Sequence, residues 1–233
     1  MDDLDLIARP APTPQRPLLG CTLLLVEDSR FASEAFRLLA LRSGARIRRA
    51  DCLASAERHL NTYRASVAIV DIGLPDGSGL ELIKRLDRAN QRPFVILATS
   101  GQSRDEVEAE VLEAGADGFL PKPIESLAAF QQAIMRHMPE DHVPKGLRAV
   151  GSEVVQPDRL ALNEDLIYAG RLLDDHAVQP RFVADFLQGL AKIDHDDALL
   201  SEARTLSGDY GDIRPRLQAL IAEHLDHSVV GSV

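Results

Sequence analysis

Val-Ala-Ile-Val-Asp-Ile-Gly-Leu-Pro-Asp-Gly-Ser-Gly-Leu-Glu-Leu occupies residues 67–82. Val67–Val70 is an apolar run without polar alternation, the pattern of a strand buried on both faces. Gly73, Pro75, Asp76 and Gly77 then break the chain, and from Gly79 to Leu86 the spacing turns helical. Asp71 sits where the strand ends. On these residues alone it is either part of a plain turn or a group placed for chemistry.

Moving outward, the same alternation recurs on both sides. Thr22–Val26 is a short apolar run fit for a strand, and Arg30–Arg42 has Phe31, Ala35, Leu38 and Leu39 on one helical side. Arg46–Ala50 is a more polar strand and Leu53–Tyr63 a helix. Phe94–Ala98 is a strand and Arg104–Ala114 a helix closed by Gly115. Gly118–Leu120 is a last strand, followed by a helix over Ser126–Met138. Five strands alternating with five helices predict an α/β fold, a doubly wound parallel sheet covered on both faces. Ligands of such sheets bind beyond the carboxyl ends of the strands.

Those ends carry Glu27, Asp28 and Ser29 after the first strand and Asp71 after the third. Thr99 and Ser100 follow the fourth, and Pro121, Lys122 and Pro123 the fifth. Each has an ordinary reading: Asp28 or Ser29 as a helix cap, Lys122 as a loop lysine, Thr99-Ser100-Gly101 as a helix start. Taken together they describe one pocket. Clustered carboxylates repel unless a hard divalent cation offsets them. A lysine supplies a point charge for phosphate, and a threonine hydroxyl a further donor. Such a set suits phosphoryl transfer to the carboxylate of Asp71.

Leu-Leu-Val-Glu-Asp-Ser at 24–29, the segment 70–82 and Gly-Ala-Asp-Gly-Phe-Leu-Pro-Lys-Pro at 115–123 resemble, as a set, the receiver domains of two-component response regulators. The resemblance covers about residues 20–138 and implies a flavodoxin-like, CheY-like fold. It implies that Glu27 and Asp28 bind Mg²⁺, Glu27 through water, and that Asp71 is both metal ligand and phosphorylation site. The backbone carbonyl of Gly73 becomes a further ligand and Lys122 the partner of the phosphoryl group. Thr99 moves toward that group and frees space for Phe119, the aromatic switch position. The implied donor is a phosphohistidine on a sensor histidine kinase or histidine phosphotransfer protein. The chain is then a phospho-acceptor with slow self-dephosphorylation rather than a turnover enzyme. Ser100 stands where the family usually has alanine, and Phe119 where it often has tyrosine.

Composition narrows the setting. The 233 residues carry a net charge of −10, 45% apolar residues and no Trp, so aliphatic side chains build the core. An acidic chain repels nucleic-acid phosphate unless a local basic face compensates. Cys21 and Cys52 show neither metal spacing nor a disulfide framework, which fits a reducing compartment. The first residues are acidic where a secretion signal is basic, and no apolar run reaches the ~20 residues of a membrane helix. The expectation is a soluble cytoplasmic protein with no membrane partner.

Residues 1–19, with four prolines, read as a disordered lead-in, and 139–158 as a linker. Residues 159–228 read as a small all-α module of four helices, with stripes such as Leu162, Leu166, Ala169 and Leu173, and helices opening at Pro180 and Pro215. Gly208 closes the third. Four short helices make a marginal core that needs cover from the receiver or from a second copy. Residues 142–233 hold nine Lys/Arg and fifteen Asp/Glu, net −6, with no basic recognition helix, so DNA is disfavoured as a partner. His176, His195, His224 and His227 lack the surroundings of a phosphotransfer histidine. The three aspartates around His195 read as helix N-terminal charge rather than a metal site. The favoured output is protein–protein contact, with a downstream protein partner or a homodimer. The alternatives are a DNA-binding regulator and a receiver-fold scaffold that is never phosphorylated.

Overall fold

The computed structural model describes residues 11–124, 126–145, 159–175, 178–207 and 212–230, the last five without their side chains. Five parallel strands, β1 (Thr22–Val26), β2 (Arg46–Ala50), β3 (Val67–Asp71), β4 (Val95–Ser100) and β5 (Gly118–Pro121), form one sheet in the order β2-β1-β3-β4-β5. Between and after them run α1 (Arg30–Arg42), α2 (Leu53–Leu60), α3 (Gly79–Asp87), α4 (Arg104–Glu113) and α5 (Leu127–Met135). The doubly wound α/β expectation holds, with helix ends shifted by a few residues. A two-residue hairpin pairing Gly73–Leu74 with Gly77–Ser78, not foreseen, closes the loop after Asp71.

Side-chain alternation sorts each strand into two cores. Leu24, Val26, Ala68, Val70, Ile96 and Ala98 face α2, α3 and α4. Leu23, Leu25, Val67, Ile69, Val95 and Leu97 face α1 and α5. Burial on both faces is why β1, β3 and β4 read as unbroken apolar runs. β2 is an edge strand and keeps exposed Arg46, Arg48 and Arg49, charges that discourage pairing with another edge.

The expected disordered lead-in does not hold for residues 11–19. Leu18 is fully buried in the core beneath α1, and its N–H donates to Ser43 O at 2.9 Å. An apolar side chain with a core slot to fill orders this Pro-rich segment. The near part of the expected linker likewise packs: Glu140–His142 is a 3₁₀ turn, Val143 joins the same core and His142 lies 4.5 Å from the ring of Phe94. The remaining parts of both segments, residues 1–10 and 146–158, lie outside the described residues, as do His176, Gly208 and the side chain of His227.

Among the described residues the C-terminal region forms four helices: α6 (Arg159–Asp174), α7 (Pro180–Asp194), α8 (Asp197–Ser207) and α9 (Arg214–Val230). Their core includes Leu166, Ala169, Leu187, Leu190, Leu217 and Phe31, the last contributed by α1 of the receiver. The receiver therefore supplies the missing cover. His195 is the left-handed C-cap of α7, with φ 58°, and Asp196 accepts from Leu199 N at the start of α8. Among the described residues no helix is long and apolar enough to cross a membrane.

Candidate phosphoryl-acceptor site

The register brings Asp71 beside Thr99 and Thr99 beside Leu120 at the carboxyl edge of the sheet. Glu27 leaves β1 with its N–H on Ala50 O at 2.9 Å, and Lys122 leaves β5 with its N–H on Ser100 O at 3.0 Å. The Lys122 ammonium donates to Asp71 Oδ2 at 2.5 Å and to Glu27 Oε2 at 2.8 Å. Gly73 N–H donates to Asp71 Oδ1 at 3.1 Å. Ligand oxygens of Glu27, Asp28 and Asp71 lie within 4.8 Å of one another.

The electrostatics are unbalanced. Three carboxylates share one buried ammonium. Burial lifts Glu27 to about 7 against the pull of Lys122. Burial also lifts Asp28 well above the usual carboxylate range, with Glu27 and Asp71 adding to the effect. Burial alone would lower Lys122, but Asp71 and Glu27 outweigh it and hold its charge firmly. Asp28 Oδ2 is buried with no hydrogen-bond partner, an expensive arrangement for an acceptor oxygen. A hard divalent cation would satisfy that oxygen and offset the surplus negative charge, so the donor set fits Mg²⁺.

Local sequence explains the placement. Gly79 lets α3 start directly beneath Asp71: a Cβ there would stand 1.9 Å from Asp71 O. Ser78 and Ser29 cap α3 and α1 by accepting from Leu80 N and Ala32 N. Ser29 thus has the ordinary cap role while Asp28 does not. Thr99 Oγ1 donates to Leu120 O at 2.7 Å rather than toward Asp71. Phe119 is already 4% exposed, packed in the core with the Arg104 guanidinium 5.7 Å from its ring centre. Ser100 Oγ accepts from Gln102 N and lines the same cavity as Asp71.

Two groups escaped sequence reasoning. Asp76 reads as a turn residue, yet its carboxylate accepts from Leu53 N and Ala54 N and caps α2. Asp165 of α6 accepts from Ser29 Oγ, Arg30 N and Phe31 N at 2.8–2.9 Å, so the helical module crowns the first turn of α1 next to the acidic pair. The one available signal was an acidic residue three positions after Leu162 and four before Ala169, inside the apolar stripe of α6. The pair Arg30–Glu164, at 2.8 Å, flanks it.

A doubly wound five-stranded sheet thus carries an acidic trio, a threonine and a lysine together at its carboxyl edge. Residues 23–134 match the model of the response regulator receiver domain. A Virulence transcriptional regulatory protein PhoP of Shigella flexneri is 36% identical over 116 residues, 49% of this chain and 52% of its own length. The chain thus spans about half the length of the first curated relatives it matches. The protein of that name from Salmonella typhi aligns over 224 residues at 27% identity, 91% of this chain and 94% of its own. Among solved structures, a CheY-like response regulator receiver domain protein from Methanospirillum hungatei JF-1 is 21% identical over 52% of this chain and 95% of its own, with a TM-score of 0.47.

Proposed function

We propose that the chain is a phosphorelay response regulator. In this reading Asp71 accepts a phosphoryl group from a phosphohistidine of a sensor kinase or phosphotransfer protein, and the signal leaves through protein contacts of the receiver face and helical module. The observation that carries the reading is the buried, unpartnered Asp28 Oδ2 beside Glu27 and Asp71, with Lys122 opposite.

A carboxylate oxygen of Asp71 attacks phosphorus as the P–N bond of the donor breaks, and the electron pair of that bond leaves on the imidazole nitrogen. Lys122 holds Asp71 in place and stabilises charge on the transferring oxygens. Mg²⁺ held by Glu27, Asp28, Asp71 and the Gly73 carbonyl would supply further positive charge to those oxygens. The Thr99 hydroxyl leaves Leu120 O for a phosphoryl oxygen, which alters the packing of Phe119 and its neighbour Arg104. Ser100 and Gly73 line the cavity beside Asp71, where water would later reach the group.

Isothermal titration with Mg²⁺ tests this. Saturable binding that is lost in Asp28→Asn supports it, while absence of binding in the unaltered protein favours a silent receiver-fold scaffold. A DNA-binding regulator is the second reading, favoured by the alignment of the Salmonella typhi transcriptional regulatory protein along 91% of the chain. The net −6 of residues 142–233 opposes it. A salt-sensitive mobility shift of duplex DNA by the phosphorylated protein would decide for it.

A further inference from the structure

The acceptor pocket is not bounded by the receiver alone. A cavity of about 420 Å³ has Glu27, Asp71 and Lys122 on its receiver side, and Gln188, Lys192 and Arg204 on its module side. The position of α7 over it is closely fixed. A Cβ on Gly101 would lie 3.2 Å from Gly189 Cα, so the β4–α4 loop and α7 meet backbone to backbone. The Lys192 ammonium bridges that seam to Gly101 O. Phe31 in the module core and Asp165 on the first turn of α1 hold the other side.

We infer that Lys192 and Arg204 form a second cationic wall of the phosphoryl site, so that a phosphoryl group on Asp71 is bound by the helical module as well as by the receiver. The inference rests on the phospho-acceptor reading and adds its sign: phosphorylation tightens the docked module instead of releasing it. Two cations face a pocket whose own ammonium is already committed to Asp71 and Glu27. Partial burial depresses Lys192, and Arg204 and Lys122 depress it further, a strain that an arriving anion relieves. Lys192 feels the charges of Glu106 of α4 and Asp185 of α7, and Arg204 that of Glu106. Glu106 already accepts from Ser103 N in the capping box of α4, and Asp185 from Gln188 Nε2. Phosphorylation would add negative charge on the side of the cavity opposite Lys192. Its hydrogen bond to a neutral carbonyl can then be exchanged for a stronger one to a charged oxygen.

The test uses the full chain with Mg²⁺ and beryllofluoride as the phosphoryl mimic, read by ¹⁹F NMR for occupancy and by hydrogen exchange across α7. The expected result is saturable binding, slower exchange of α7 amides on binding, and a shifted fluorine resonance in Lys192→Gln. Affinity should fall about tenfold in that variant, the scale of one charge-assisted hydrogen bond. Arg204→Gln should weaken binding in the same direction, and Lys192→Arg should restore it. Unchanged affinity and resonances in both glutamine variants, or faster α7 exchange on binding, would overturn the inference while leaving the acceptor site intact. No binding by the unaltered protein would instead remove the phospho-acceptor reading, and this inference with it.

Discussion

Replacing Asp165 with alanine should loosen the helical module from the receiver. The carboxylate accepts three hydrogen bonds, from Ser29 Oγ, Arg30 N and Phe31 N, and is itself 1% exposed. Bonds to a charged group contribute about 1.5–3 kcal/mol each, from which desolvation of the carboxylate must be subtracted. That subtraction is real here, because burial raises Asp165 above its ordinary value despite the three donors. A net loss of roughly 2–4 kcal/mol remains, which lowers the ratio of docked to undocked chains by about 30- to 1,000-fold. Ser29 still caps α1 through Ala32 N, so the receiver should keep its fold. The assay is residue-resolved hydrogen exchange: Arg30 and Phe31 amides and the α6 and α7 helices should exchange faster, while β1, β3 and β4 stay protected. A raised folded-state value means that docking favours the protonated form, so part of the stabilisation present at low pH is given up as pH rises through that value, and the roughly 2–4 kcal/mol is what the ionised group retains. Mild acid should therefore not weaken docking through this group, and Asp165→Asn should flatten that slope. Wild-type exchange rates at Arg30 and Phe31 in Asp165→Ala would refute the reasoning.

Gly79→Ala should destabilise the receiver by about 2–4 kcal/mol, read from the urea midpoint, because its methyl collides with the backbone of Asp71 rather than with a side chain that can swing away. Mg²⁺ affinity should fall by about tenfold between pH 8 and pH 6, measured by calorimetry, because Glu27 at about 7 must lose its proton to bind, and Asp28 is raised in the same sense. A flat profile would show that the trio does not hold the ion. Ser100→Ala should lengthen the life of the phosphorylated protein by about fivefold, one hydrogen bond's worth of help to the attacking water. An unaltered dephosphorylation rate would end that idea.

What the sequence discloses tracks the range of the interactions. The strands were legible because burial on both faces forces unbroken apolar runs such as Leu23–Val26 and Val67–Val70. Strand ends then placed Glu27, Asp28, Asp71, Thr99 and Lys122 on one edge without any long-range information. Buried Leu18 was not legible, since a single leucine among prolines gives no period, and its slot exists only once α1 has packed. The docking of the module was equally hidden. Phe31 and Asp165 each look ordinary in their own helix, and their meaning comes from a partner more than 130 positions away. The need of α6–α9 for outside cover was visible in their length, but whether the receiver or a second copy provides it depends on surface shape.

Exposure of the full chain to a small acyl phosphate, followed by intact mass measurement, addresses Asp71 most directly. One added phosphoryl mass that requires Mg²⁺ and disappears in Asp71→Asn is the expected result. Undiminished labelling of Asp71→Asn, or labelling indifferent to Mg²⁺, would contradict the assignment of Asp71 as the acceptor.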